Sequence, residues 1–520
     1  MALNAKNTPD ATSSDYDAML PIWRKAETIM AGADAMRKAG GIQGNPYLPR
    51  FPNETTADYE YRRNNAKFTN IYGDILTNLA AKPFAEELQL VDGAPPRFRD
   101  LSEDIDGRGN NLHVFAASSF RDAINYGVDW ILVDYTKPRP RRDGRPLSIA
   151  EERQQNLRPY WVSIPATRLI AVYTAMVRGR EQVVHARVLE YAIRREEYLE
   201  TFETRVRVFN REPVFEVLQD GTRTNVIVDY APATYRVLQR VSSVRGRRSS
   251  SWETIDEGPI SIGVIPLVPI ITGTRDDGSW RIKPPLEDVA DLQIEHFQQE
   301  TALKSIKELT AFPTFAANGV SPPRDAAGNP VDVTVGPKSV LFAPPNPEGG
   351  APGGWDIIEP SAESLRFLSE DIDKTEKQMR EIGRQPLVAS QMTVVQAGMN
   401  AQKANSAIQA WALGLKDALE QAWVFTAMWL GEEAQAPSVR VYNDFDAGLA
   451  DDKGPTTLIE ARKIGDLSQR TLWDEMRRRG ILSPDFDPEV ELERLTEEGP
   501  GDPTPTDQAA ALGVDPAQAA

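Results

Sequence analysis

Residues 384–415 read RQPLVASQMTVVQAGMNAQKANSAIQAWALGL. After Arg384 this stretch carries one charged side chain, Lys403, in a chain of which 26% of residues are charged. It opens as a loop at Gln385 and Pro386 and becomes a helix rich in Ala, Asn and Gln. Ala404, Ile408, Trp411, Leu415, Leu419 and Ala422 recur at helical spacing, which predicts one long helix over roughly 397–432 with a single packing stripe. At about 1.5 Å per residue such a helix spans on the order of 50 Å. A nearly neutral loop at the head of a long helix is the feature that organises the rest of the chain.

On the N-terminal side of the loop, Leu365, Leu368, Ile372, Thr375, Met379 and Ile382 alternate spacings of three and four. They predict a one-sided helix that Ser361 caps. Glu370–Lys374, Asp373–Lys377 and Glu376–Arg380 stand four apart with the acid first, the favourable order. Residues 311–360 hold ten Pro and seven Gly, which excludes a continuous helix. VDVTV (331–335) and SVLFA (339–343) read there as short strands. Another helix opens at KPPLEDVADLQIEHFQQETALKSIKEL (283–309), with Pro285 in its first turn and Glu287 and Asp288 at its positive end.

Further upstream, helices are predicted over 18–39, 56–81 and 112–126, the second ended by Pro83. DWILVDYT (129–136) reads as a buried strand. YWVSI, LIAVYT, VVHARVLEYAI, FETRVRVFN, VFEVLQ, NVIVDY and TYRVLQRV follow, many alternating apolar with polar as a half-exposed antiparallel sheet does. ISIGVIPLVPIITG (260–273) reads as a strand pair broken by Pro266 and Pro269. After the long helix come a short strand at 438–444 and two or three short helices over 456–498. Residues 1–17 and 499–520 are expected to be disordered. The fold class is therefore α+β.

Hydrophobic residues make up 41% of the 520, enough for several packed cores. No apolar run approaches the ~18 residues of a membrane span, and the N-terminus lacks the pattern of a signal peptide. There is no cysteine, so no disulfide and no thiolate metal site forms. The net charge of −17 opposes nonspecific DNA binding across the whole surface. The three histidines, His113, His185 and His296, fall in separate predicted elements and are read as partly buried or surface histidines, with nothing to support a triad or metal cluster. VGPKS (335–339) lacks the glycine spacing of a phosphate loop. The Asp-x-Asp triplets at 15–17, 104–106, 371–373, 444–446 and 485–487 are read as solvated acids or caps rather than cation sites. The Arg clusters at 137–145 and 245–251 suit surface loops at least as well as nucleic acid. Neither a catalytic centre nor a cofactor is expected.

The order of these elements resembles that of portal proteins of tailed double-stranded DNA bacteriophages. YLPRFPNETTADYEYRRNNAKFTNIYGDILTNLAAKPF (47–84), PPLEDVADLQIEHFQQETALKSIKELTAFPTFAANG (284–319), NAQKANSAIQAWALGLKDALEQAW (400–423) and RRRGILSPDFDPEVELE (477–493) look like one portal subfamily. The resemblance spans about residues 45–495 and contains no catalytic fingerprint. It implies a ring, usually of twelve subunits, at one capsid vertex of the virion, assembled in the host cytoplasm. Residues 18–283 and the strand at 438–444 would form the wing, 284–310 and 361–384 the two stem helices, 311–360 the β clip, 385–397 the tunnel loop and 456–498 the crown. Arg384, Gln391, Met392, Thr393, Val394 and Gln396, with Lys304, Lys307, Lys374, Lys377 and Arg380, would face DNA in the channel. Val333, Lys338, Leu341 and Phe342 would meet the terminase and then the head–tail connector. The major capsid and scaffolding proteins would be further partners, and no membrane is involved. The alternatives are another head–tail ring or adaptor protein, or a capsid-associated processing enzyme, which would need a clustered His/Asp/Glu site.

Overall fold

The computed structural model describes residues 8–41, 44–52, 54–139, 151, 154–217, 223–242, 250–311, 314–318, 324, 327–328, 340–343, 354–358, 362–383, 394–443, 445, 454–478, 482 and 486–498. They fall into two compact units, 1–443 and 444–520. The first begins with α1 (Ser14–Met30), α2 (Ala33–Lys38), α3 (Thr56–Asn64), α4 (Ile71–Ala81), β1 (Gln89–Leu90), α5 (Pro96–Glu103) and α6 (Leu112–Tyr126). Twelve strands follow: β2 (Val128–Tyr135), β3 (Pro159–Pro165), β4 (Leu169–Val177), β5 (Arg180–Glu196), β6 (Leu199–Asn210), β7 (Pro213–Val217), β8 (Arg223–Tyr230), β9 (Thr234–Ser242), β10 (Ser250–Pro259), β11 (Leu267–Ile271), β12 (Thr274–Arg275) and β13 (Ile282–Lys283). Then come α7 (Glu287–Ala311), β14 (Thr314–Asn318), β15 (Val340–Ala343), β16 (Gly354–Ile358), α8 (Ala362–Ile382), α9 (Val394–Leu430) and β17 (Val439–Arg440). The second unit contains α10 (Gly454–Lys463), α11 (Gln469–Arg478) and α12 (Pro488–Glu498). The molecule is α+β, as the periodicities imply.

Two antiparallel sheets form the body of the first unit, ordered β10–β9–β6–β5–β4 and β11–β2–β3. β2 is buried through its first six residues, since α6 packs on it and strands pair on both sides. Trp130, Leu132, Ile164, Leu169, Val188, Val206 and Phe209 join Tyr16, Met19 and Trp23 of α1 in one core. The turn Arg178–Gly179 has positive φ at both residues, the type I′ geometry that matches strand twist. Gly273 is tightly enclosed: a Cβ there would lie 2.4 Å from the Lys283 carbonyl oxygen.

Several expectations need correction. Residues 8–17 are not a disordered lead. α1 starts at Ser14, capped by Ser13, and Asp15 accepts from the Trp280 N–H at 2.9 Å and pairs with Arg281 at 3.0 Å. The helix expected over 18–39 breaks at Gly32, whose φ of 86° only glycine adopts readily. The helix expected over 56–81 is two helices, capped separately by Thr55 and Asn70, and Tyr61 faces solvent rather than the core. Instead of a strand pair, 260–273 yields the single strand β11. Pro269 sits within it, tolerated because β11 is a sheet edge and needs no N–H at that position. The strand expected over 438–444 shrinks to Val439–Arg440, paired with β1.

Within the second unit, Ser468 Oγ accepts from the Thr471 N–H at 3.1 Å at the start of α11, and Trp473 meets Phe486 edge-on at 5.6 Å. The three helices match the short helices expected there.

Candidate functional site

The paired helices α7 and α8 are the elements that the sequence marks for function. Their sense is antiparallel: Gln299 Nε2 donates to Asp371 at 2.9 Å, and His296 Nε2 meets Glu376 at 3.1 Å, so rising numbers on one meet falling numbers on the other. Ile372, Thr375 and Met379 of the predicted stripe are buried, Leu365 and Leu368 are partly covered, and Ile382 is exposed. At the far end of the pair, β14 runs antiparallel to β16 and parallel to β15, a three-stranded sheet joined in sequence to both helices.

A buried polar cluster locks this pair to the N-terminal helices. Gln293, His296, Glu300 and Thr301 of α7 and Thr375 of α8 are all at most 6% exposed. The Ile71 and Tyr72 N–H groups, unpaired within α4 because they begin it, donate to Gln293 Oε1 at 2.9 and 3.0 Å. Gln293 Nε2 donates to the Thr69 carbonyl at 2.9 Å. Glu300 pairs with Lys67 at 2.6 Å and accepts from Thr69 Oγ1 at 3.1 Å. His296 Nδ1 faces Glu300 Oε2 across 3.8 Å, too far for a hydrogen bond, and neither atom has a hydrogen-bond partner among the described residues. Phe68 packs edge-on against Phe297 at 5.8 Å. The segment 65–70 therefore lies along α7, which is why the chain cannot stay helical from 56 to 81. Burial also pushes the Tyr72 hydroxyl pKa up, and that hydroxyl donates to Asn125 at 2.9 Å.

The cations expected to face DNA divide into two sets. Lys304 Nζ donates to the Asn65 carbonyl at 2.7 Å and lies 3.8 Å from Glu308, and Arg380 bridges to Asp74 at 3.0 Å. Lys307, Lys374 and Lys377 are exposed and make no ion pair among the described residues. The intrahelical pairs expected from Glu370 and Glu376 are replaced. Glu370 takes Arg366 at 3.3 Å, and Glu376 takes His296. Together α7 and α8 carry twelve acidic and six basic residues, so the pair is acidic despite its lysines. An open groove of about 580 Å³ runs beside the cluster, lined by Lys67, Leu303, Lys307, Ile372 and Asp373 among others.

Arg384, Gln391, Met392, Thr393, Val333, Lys338 and the cap expected at Ser361 lie outside the described residues, as do VDVTV and most of the Arg clusters. Val394 and Gln396 fall in the first turn of α9, and Leu341 and Phe342 fall in β15 beside Ala316 and Ala317 of β14. α9 starts three residues earlier than expected. Its Ile408, Leu415, Leu419 and Ala422 are buried, and Trp423 stacks edge-on against Trp161 at 5.0 Å and Phe98 at 5.8 Å. The buried cluster leaves almost no local signature in the sequence. Only the four-residue spacing of His296 and Glu300 hinted at it, because Lys67 and Glu376 are remote in the chain.

His113 Nδ1 accepts from the Leu88 N–H at 3.1 Å, and His185 Nδ1 meets Asn210 at 2.9 Å. Asp104 and Asp106 close their own loop by accepting from the N–H groups of Gly109, Arg108 and Asn110. Among the described residues no group of three or more His, Asp or Glu is arranged to hold a metal ion. No described helix is long and apolar enough to cross a membrane.

A family model described as a domain of unknown function (DUF4055) matches residues 285–430, the stretch from the start of α7 to the end of α9. Comparison with curated protein sequences gives no match. Among solved structures, the chain is similar to one titled "Neck of native GTA particle computed with C12 symmetry". Identity is 12% and the TM-score 0.33, over 79% of this chain and 89% of that one. It is also similar to one titled "Virion of native gene transfer agent (GTA) particle", at 12% identity and a TM-score of 0.34, over 88% and 98%. At these values neither likeness bears on chemistry or assembly.

Proposed function

We propose that this chain is the portal subunit of a tailed double-stranded DNA bacteriophage or a particle built like one. It would form a ring at one capsid vertex through which DNA enters and leaves, without catalysis of its own. One observation carries the reading: an antiparallel helix pair, joined at one end to a three-stranded sheet and followed by a 37-residue helix. In a ring, α7 and α8 would line the channel. The sheet β14–β16 would offer its surface to the terminase and later to the connector, and residues 385–397 would form the constriction.

The charge supports this assignment. Each lysine on phosphate releases counterions and holds DNA in a salt-dependent way, so a wall of cations would brake translocation. A helix pair with a twofold excess of acids and only isolated exposed lysines repels the backbone and guides it. The buried cluster adds rigidity, which a channel under load needs. Electron microscopy of purified protein tests the proposal. Rings with a central hole, of about twelve subunits, are expected; a chain that stays monomeric at every concentration and ionic strength refutes it.

A further inference from the structure

The long hairpin β5–β6 ends in an apolar tip whose large side chains stay exposed among the described residues. Its strands pair from His185–Asn210 out to Glu196–Leu199, but β9 covers β6 only over Arg205–Asn210. Beyond that point the hairpin is a two-stranded ribbon, marginal by itself in water. On this ribbon Ile193 and Phe202, directly paired, are 61% and 72% exposed, and Tyr198 and Leu199 at the turn are 97% and 64% exposed. So many large apolar side chains clustered on one projection mark an interaction site.

The same chain holds a matching hole. A groove of about 340 Å³ lies between β5, β11 and α9, lined by Val183, Ile265, Leu267, Trp280, Phe425 and Met428. Both features involve β5, with Val183 near its start and the tip at its end. At about 3.3 Å per residue they lie on the order of 40 Å apart, so a chain cannot fill its own groove with its own tip. Charges match as well. Arg180 and Glu433 at the groove are exposed and unpaired among the described residues, and the tip carries exposed Arg195, Glu197 and Glu200, likewise without ion pairs.

We infer that the β5–β6 tip of one copy docks into the β5–β11–α9 groove of a second copy, so that successive copies join head to tail. A patch on one surface that fits a hole elsewhere on the same chain makes a heterologous contact, which closes into a ring when the rotation allows. The inference rests on the ring reading for closure only.

The absence of cysteine makes a clean test. Tyr198→Cys and Glu433→Cys, singly and combined, are treated with a short bismaleimide, and the same samples are viewed by electron microscopy. The double variant is expected to give a ladder of covalent oligomers, and an equal mixture of the single variants a covalent dimer. Rings without such cross-links overturn the tip-in-groove contact and leave the ring reading standing. So does a Tyr198→Cys variant that links to itself as strongly as the mixture. A protein that never assembles overturns both. Phe202→Ser, on an exposed face that folding does not need, should raise the concentration for half-assembly about tenfold or more with unchanged thermal unfolding. An unchanged concentration refutes the role of the tip.

Discussion

Replacing Gln293 by methionine keeps most of the side-chain volume but removes three buried hydrogen bonds. The Tyr72 N–H loses its acceptor, while the Ile71 N–H and the Thr69 carbonyl each lose one bond and keep the one they make to each other at 3.1 Å. Gln293 is fully buried, so water does not replace them without opening the contact between α7 and α4. A typical bond contributes about 1 kcal/mol net and the one stranded N–H adds to that, so losing three bonds should cost about 3 kcal/mol. At 1.4 kcal/mol per factor of ten, local opening becomes roughly a hundredfold more frequent. Hydrogen exchange read by mass spectrometry on peptides covering 69–76 and 287–300 should show that acceleration, with the β2–β3–β11 sheet unchanged. Gln298→Met is the control, since among the described residues Gln298 makes one such bond, to the Tyr47 carbonyl, and should change exchange less than tenfold. Unchanged protection at 69–76 in a folded Gln293→Met protein would refute the idea that this glutamine fixes the break between α3 and α4.

Burial, with Asp122 nearby, pushes the Asp129 carboxyl well above the usual range; its Oδ2 accepts from Ser163 at 3.0 Å. The folded state then holds the proton more tightly than the unfolded one. Stability should therefore fall by up to about 1.4 kcal/mol per pH unit from the ordinary carboxylate range up to the folded value. Asp129→Asn should flatten that part of a urea-unfolding pH profile, and an identical slope in both proteins would count against the argument. Trp423→Ala empties a fully buried site between Trp161 and Phe98 and should cost about 3–5 kcal/mol in calorimetry; a loss under ~1 kcal/mol would mean that the aromatic cluster is not the anchor of α9. Deleting 387–395 should leave assembly intact while DNA packaging or retention fails, and loss of assembly would make this loop structural instead. Leu341→Asp in β15 should weaken terminase binding in a pull-down, and unchanged affinity would remove β14–β16 from that role.

Where an element's identity depends on its own residues, sequence sufficed. The stripe at Ile372, Thr375 and Met379, the buried run of β2 and the packed face of α9 repeat at the periods of helix and strand, and all three lie where those periods put them. The α+β class and the order of helix, small sheet, helix and long helix follow from the same local rules. Charge pairing was less legible. A helix offers Glu376 both Arg380 on its own face and His296 from a neighbour, and only the packing of α7 on α8 selects His296.

By itself, then, the sequence determined the local elements and the acidic character of the helix pair, because hydrophobic period and composition are properties of contiguous residues. Tertiary structure alone decided that residues 65–70 leave the helix, since Gln293, more than two hundred residues away, supplies the hydrogen bonds that begin α4 there. It also decided that His296, Glu300, Lys67 and Glu376 meet, and that β5 contributes both to the apolar tip and to the groove. Such juxtapositions depend on how distant segments share buried volume, and no local pattern records that.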